Sequence, residues 1–89
     1  MLKIEKDWDG ITTVIRLIGR IQSGDVDGLK DQMKGGGPQL VLDLDQVNLV
    51  DVDVVRFLCD CKERGVELAH CSPYIREWIL REQSERGKN

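Results

Sequence analysis

The chain is poor in the residue types that usually announce chemistry. A single histidine, His70, leaves little room for general acid–base catalysis. The three cysteines, Cys59, Cys61 and Cys71, are odd in number and lack framework spacing. That speaks against a disulfide scaffold and for free thiols in a reducing compartment. Cys-x-Cys on a helix points its two thiols apart, so Cys61 with the adjoining His70-Cys71 pair is a poor zinc set. No serine, histidine and acid arrangement suggests a nucleophile. A basic surplus is also missing: Lys and Arg number 13 against 16 Asp and Glu, for a net charge of −3. With a pI near 5.1, this argues against a nucleic-acid partner, which a basic face would attract. No apolar run approaches the roughly 20 residues of a membrane span, so no membrane insertion is expected. No basic-then-apolar signal opens the chain, and the expected location is the cytoplasm.

What is present describes one ordinary domain. The 89 residues are 40% hydrophobic and 33% charged, and a chain of this size buries on the order of 60–65% of its unfolded surface, enough for one modest core. Leu2 to Trp8 alternates apolar and polar residues, as a strand with one wet face does. Asp9-Gly10 predicts a tight hairpin with positive φ at both central residues. Ile11 to Ile18, rich in β-branched residues, is the expected return strand. Ser23 is placed to cap a helix carrying Asp25 and Asp27 in its first turn and Val26, Leu29 and Met33 on its buried stripe. Gly35-Gly36-Gly37-Pro38 ends it; without a following Gly-Lys-Ser/Thr, and with a strand next, this is a connector and not a phosphate loop.

The chain is organised around Gln39 to Gly65. Leu40 to Leu44 reads as a strand, followed by a short link with Val47, Leu49 and Val50. Two acids, Asp51 and Asp53, precede a helix whose apolar stripe is Val54, Phe57, Leu58 and Cys61. Gly65 stops it, and Val66 to Ala69 reads as another strand. Ser72-Pro73 predicts the cap and first position of a last helix, with Tyr74, Ile75, Trp78 and Ile79 as its stripe. Tyr74 and Trp78 are expected at its rim and core, and the polar end, residues 84–89, is expected to fray. The order is β-β-α-β-α-β-α. Leu40–Leu44 and Val66–Ala69, as the apolar strands, are expected at the centre of the sheet and the hairpin at its side.

These elements in this order resemble a STAS domain. The resemblance rests on Ile11–Gly19 followed by Arg20-Ile21, the strand LVLDL, Val47-Asn48-Leu49-Val50-Asp51 with the helix behind it, and Val66-Glu67-Leu68 before Ser72-Pro73. It covers nearly the whole chain, residues 1–89. It implies a small α/β fold: a mixed β-sheet with helices packed mainly on one side. It also implies a non-enzymatic, cofactor-free module that binds another protein. In bacterial anti-sigma factor antagonists that partner is an anti-sigma factor kinase, and phosphorylation of one serine switches the binding. The family motif Asp-Ser-Ser-Gly-Leu corresponds here to Asp51-Val52-Asp53-Val54-Val55. Val52 stands at the phosphoacceptor position without a hydroxyl. Gln22 stands where the family often has an aspartate. The resemblance thus carries the fold and a binding role but no switch at the usual serine.

Two readings of the acids stay open at this point. Either carboxylate can cap the helix N-terminus, or Asp53 can supply a fixed negative charge in place of a switchable phosphate. The expected contact surface comprises Asp51, Val52, Asp53 and Arg56 with the turn Gln22, Ser23 and Asp25. The protein is expected to be a monomer or weak homodimer. Alternatives are a STAS-like subunit of a membrane transport assembly, or an acidic metal or phosphoryl site built from Asp43, Asp45, Asp51 and Asp53.

Overall fold

Alternating residues of the first two strands set up the sheet on which everything else packs. The computed structural model describes residues 2–34 and 39–86; the glycine-rich connector and residues 87–89 lie outside them. The elements are β1 (Leu2–Trp8), β2 (Thr12–Ile21), a 3-10 turn (Ser23–Asp25) leading into α1 (Val26–Met33), β3 (Gln39–Val50), α2 (Val52–Glu63), β4 (Glu67–Ala69) and α3 (Pro73–Arg86). The sheet order is β1-β2-β3-β4. β1 runs antiparallel to β2, and the β2–β3 and β3–β4 pairs are parallel. This is the expected small mixed sheet and element order.

One expectation about the sheet fails. β3 is interior, but β4 is an edge strand, and β2 of the hairpin takes the other interior place. The apolar content of Val66–Ala69 reflects packing of Leu68 on the helix side, opposite Leu42 in the register. Burial of one face does not require a strand on both sides.

The hairpin also closes differently from expectation. Gly10 has a φ of 97°, but Asp9 is not left-handed. Asp9 instead accepts hydrogen bonds on Oδ1 from the Ile11 and Thr12 amides, at 2.9 and 2.7 Å. A side-chain-closed turn of this kind satisfies the backbone without the strained residue.

β3 is longer than its sequence suggests because it carries two irregularities. Its register with β2 shifts between Arg16 and Ile18 and again between Gly19 and Arg20. Each shift absorbs one extra β3 residue, as a bulge does. Leu42, Leu44, Val47 and Val50 therefore all reach the buried side with spacings of two, three and three. Strict alternation is lost after Leu44, which is why Val47 to Val50 reads as a link in sequence and is strand in fact. Asp43 supports the first shift by accepting the Asp45 amide at 3.0 Å.

A single core forms where the helices meet one face of this sheet. Ile15 and Leu17 of β2 and Leu42 and Leu44 of β3 pack with Leu29 of α1, Val54 and Leu58 of α2, and Ile75 and Ile79 of α3. The opposite face, with Val14, Arg16 and Ile18, stays half-buried. α2 buries more than its expected stripe: Val55 and Cys59 are also inaccessible. α3 packs against that flank, and the Cys59 thiol donates to the Ile79 carbonyl at 3.5 Å. Ser72 accepts the Ile75 amide on Oγ at 3.4 Å, so the Ser-Pro start of α3 is as expected.

The end of α3 is better held than its composition implies. The helix continues to Arg86. The Arg86 guanidinium donates to Asp60 Oδ1 at 2.6 Å and to the Arg56 carbonyl at 3.3 Å, and lies 3.6 Å from Glu63. Arg86 thus ties the end of α3 to the outer face of α2.

Candidate functional site

The sequence fragments chosen as a contact surface meet at one end of the sheet. β2 and β3 run parallel and finish side by side, with Ile21 opposite Val50. The chain leaves β2 into the 3-10 turn and leaves β3 into α2. Asp51 ties the two exits together. Its Oδ1 accepts the Val54 amide at 3.0 Å, which caps α2. Its Oδ2 accepts the Ser23 amide at 2.8 Å. A capping carboxylate satisfies one of the free N–H groups at a helix start and meets the positive end of the helix dipole.

Ser23 is not the cap that its sequence position suggests. Gln22 precedes the 3-10 turn and forms a reciprocal capping pair with Asp25. The Gln22 amide donates to Asp25 Oδ2 at 2.9 Å. Ser23 instead donates its amide to Asp51. The hydrogen-bonded pairs Gln22–Asp25 and Ser23–Asp51 are thus joined into one unit through the Gln22–Ser23 peptide.

Asp53 stands apart from that unit. It lies in the first turn of α2, exposed, and forms no hydrogen bond or ion pair among the described residues. The choice left open by the sequence resolves by residue: Asp51 is the cap and Asp53 is a free surface carboxylate. Val52 is 40% exposed beside it, and Leu49, at the end of β3, is 45% exposed. Two open aliphatic side chains thus lie at the same end of the fold as a free acid. Arg56, one turn along α2, is exposed and lies 3.7 Å from Glu82 of α3. Its side chain is paired with α3.

The imagined acid pocket does not form. β3 runs unbroken to Val50, and at about 3.3 Å per residue this places Asp43 upwards of about 20 Å from Asp51. Among the described residues no group of three or more metal-ligating side chains converges. Asp43 serves the open sheet face instead. It lies 3.6 Å from Arg16 Nε and 3.2 Å from His70 Nδ1. Burial pushes its carboxyl upward in pKa, but the Asp45 amide, His70 and Arg16 together hold it below the usual value. Burial also raises all three thiols, Cys61 up to about 11, so none resembles a reactive cysteine.

Residues not anticipated from sequence include Leu49, whose outward direction follows from the second irregularity in β3. Tyr74 and Trp78 were expected at the rim and core of α3. Tyr74 is 53% exposed, with its ring centroid 6.0 Å from that of a partly buried Trp78.

No family model matches the sequence, and no curated protein matches it. Solved structures do. The anti-sigma factor antagonist SpoIIAA in its unphosphorylated form superposes with a TM-score of 0.67 at 18% identity, over 97% of this chain and 96% of that one. A STAS domain of an antisigma-factor antagonist from Rhodobacter sphaeroides superposes with a TM-score of 0.55 at 17% identity, over 82% of this chain and 91% of that one. Mglu matches with a TM-score of 0.55 at 23% identity, over 78% of this chain but 19% of Mglu. The chain shares the fold of these two antagonist structures. No helix among the described residues is long and apolar enough to cross a membrane.

Proposed function

We propose that this chain is a non-enzymatic regulatory module that binds a protein partner through the N-terminal end of α2. The contact surface comprises Asp51, Val52, Asp53 and Arg56 with the Gln22, Ser23 and Asp25 turn, and includes the exposed Leu49. One observation carries the reading. Asp51 is fully engaged in holding β2's exit to α2, which leaves Asp53 as an unpaired charge beside an exposed valine. Where antagonists of this fold carry a switchable serine, this chain offers a permanent carboxylate and no hydroxyl. Its binding is therefore either constitutive or locked in the state that phosphorylation gives, with no switch at this position. The acidic, partly aliphatic surface suits a basic patch with an apolar centre on the partner. An anti-sigma factor kinase of a bacterial cytoplasm fits that description, with the chain as a monomer or weak homodimer.

The test is affinity capture from the native cell with the wild-type chain, run beside Asp53→Lys. Recovery of a kinase-like anti-sigma factor by the wild type, and its loss in the variant, supports the reading. Recovery of membrane-transport components would instead make the chain a subunit of a transport assembly. Equal capture of the same partner by both forms would move the interface away from α2.

A further inference from the structure

We propose a second interaction surface: the groove between the edge of β4 and α3, which receives an extended acidic segment of a partner protein as an added strand. The groove lies at the C-terminal end of α2. A helix of 12 residues spans about 18 Å, so this surface is separate from the Asp51 end and does not depend on it.

Three features converge there. β4 ends the sheet, so one side of its backbone has no strand partner among the described residues. Unpaired edge groups of this kind are a template for an added chain. A cavity of about 540 Å³ opens beside that edge, with the half-buried Val66, Leu68 and Cys71 offering apolar surface. Its rim carries Lys62 from the last turn of α2 and Arg76 from α3, against a single acid, Glu67. Neither cation forms a salt bridge among the described residues. Both line the same cavity as the Cys71 thiol.

Charge selects the occupant. The chain as a whole is acidic, with a net charge of −3, yet this groove is basic. A second copy would bring its own Lys62 and Arg76 against the first pair, and like charges at a strand edge discourage self-pairing. An acidic strand meets both cations while its alternate side chains reach the apolar surface. Because β4 is three residues long, the added ladder is short, and the side-chain charges carry much of the selectivity.

The test is a titration of the full 15N-labelled chain with the capped peptide Ser-Glu-Val-Glu-Val-Glu-Ser. The same peptide with Lys in place of Glu, and free glutamate, serve as comparisons. The expected result is shifts concentrated on Val66–Cys71 and Arg76, with slowed amide exchange in β4. Affinity should fall at least tenfold in the double variant Lys62→Glu/Arg76→Glu. Lys62→Gln/Arg76→Gln, which introduces no new charge, should fall in the same direction. Equal shifts with the Lys peptide, equal shifts with free glutamate, or shifts centred on other elements would overturn the proposal. So would the absence of any shift at about 1 mM peptide, where even a Kd near 1 mM gives half-saturation.

Discussion

Asp51 accepts the amide of Ser23, 28 residues earlier in the chain, at 2.8 Å. The bond joins the exit of β2 to the start of α2, and the same carboxylate caps the helix through Val54. Replacing Asp51 by Ala should remove both interactions. Loss of a cap costs about 0.5–2 kcal/mol, and about 1 kcal/mol lowers Tm by roughly 4–8 °C in a domain of this size. A drop in that range is expected in a thermal melt followed by circular dichroism.

Asp53 should behave in the opposite way. It is exposed and has no hydrogen bond or ion pair among the described residues to lose, and such surface changes usually stay within about 0.5 kcal/mol. Asp53→Asn is expected to leave Tm nearly unmoved. A loss as large as that of Asp51→Ala would show that Asp53 also supports the helix.

Acid should weaken the fold partly through Asp43. Its folded-state pKa is depressed, so the group binds protons more readily when unfolded. Its contribution is full above the unfolded value near 3.8 and is lost as pH falls through the lower folded value. Asp43→Asn should flatten the acid limb of the stability curve below about pH 4 relative to wild type. Chemical denaturation at a series of pH values measures it. An acid limb unchanged in the variant would assign the loss to other carboxylates.

Thiol modification should be ordered by burial. Cys59 and Cys61 are buried, and Cys61 is pushed up to about 11, whereas Cys71 is only partly covered. Iodoacetamide at neutral pH should label Cys71 first in the native chain, read by peptide mass spectrometry. All three should react together once the chain is unfolded. Early labelling of Cys61 in the native chain would mean that α2 opens far more readily than its packing implies.

Much of this architecture was legible because its signals are local. The hairpin, the Ser72-Pro73 start, Gly65 and the α2 stripe each depend on residues close in sequence. Two misreadings are local, at the Asp9 turn and the Ser23 cap, where the Asp9 and Asp25 side chains bond nearby backbone amides; the others originate in contacts between distant segments. β3 could not be followed past Leu44 because its irregularities depend on pairing with β2. The hold on Arg86 was not legible because its anchors lie on α2. The capping role of Asp51 was legible as one of two options. Its bond to Ser23 was not, since that requires β2 and β3 to end side by side.

The direct measurement of the central claim is an amide-shift footprint of the captured partner on the 15N-labelled chain. Shifts clustered on Gln22–Asp25 and Leu49–Arg56, abolished by Asp53→Lys while that variant stays folded by circular dichroism, are the expected result. Shifts confined to other elements, with affinity unchanged in the variant, would contradict the assignment of this end of the fold as the binding surface.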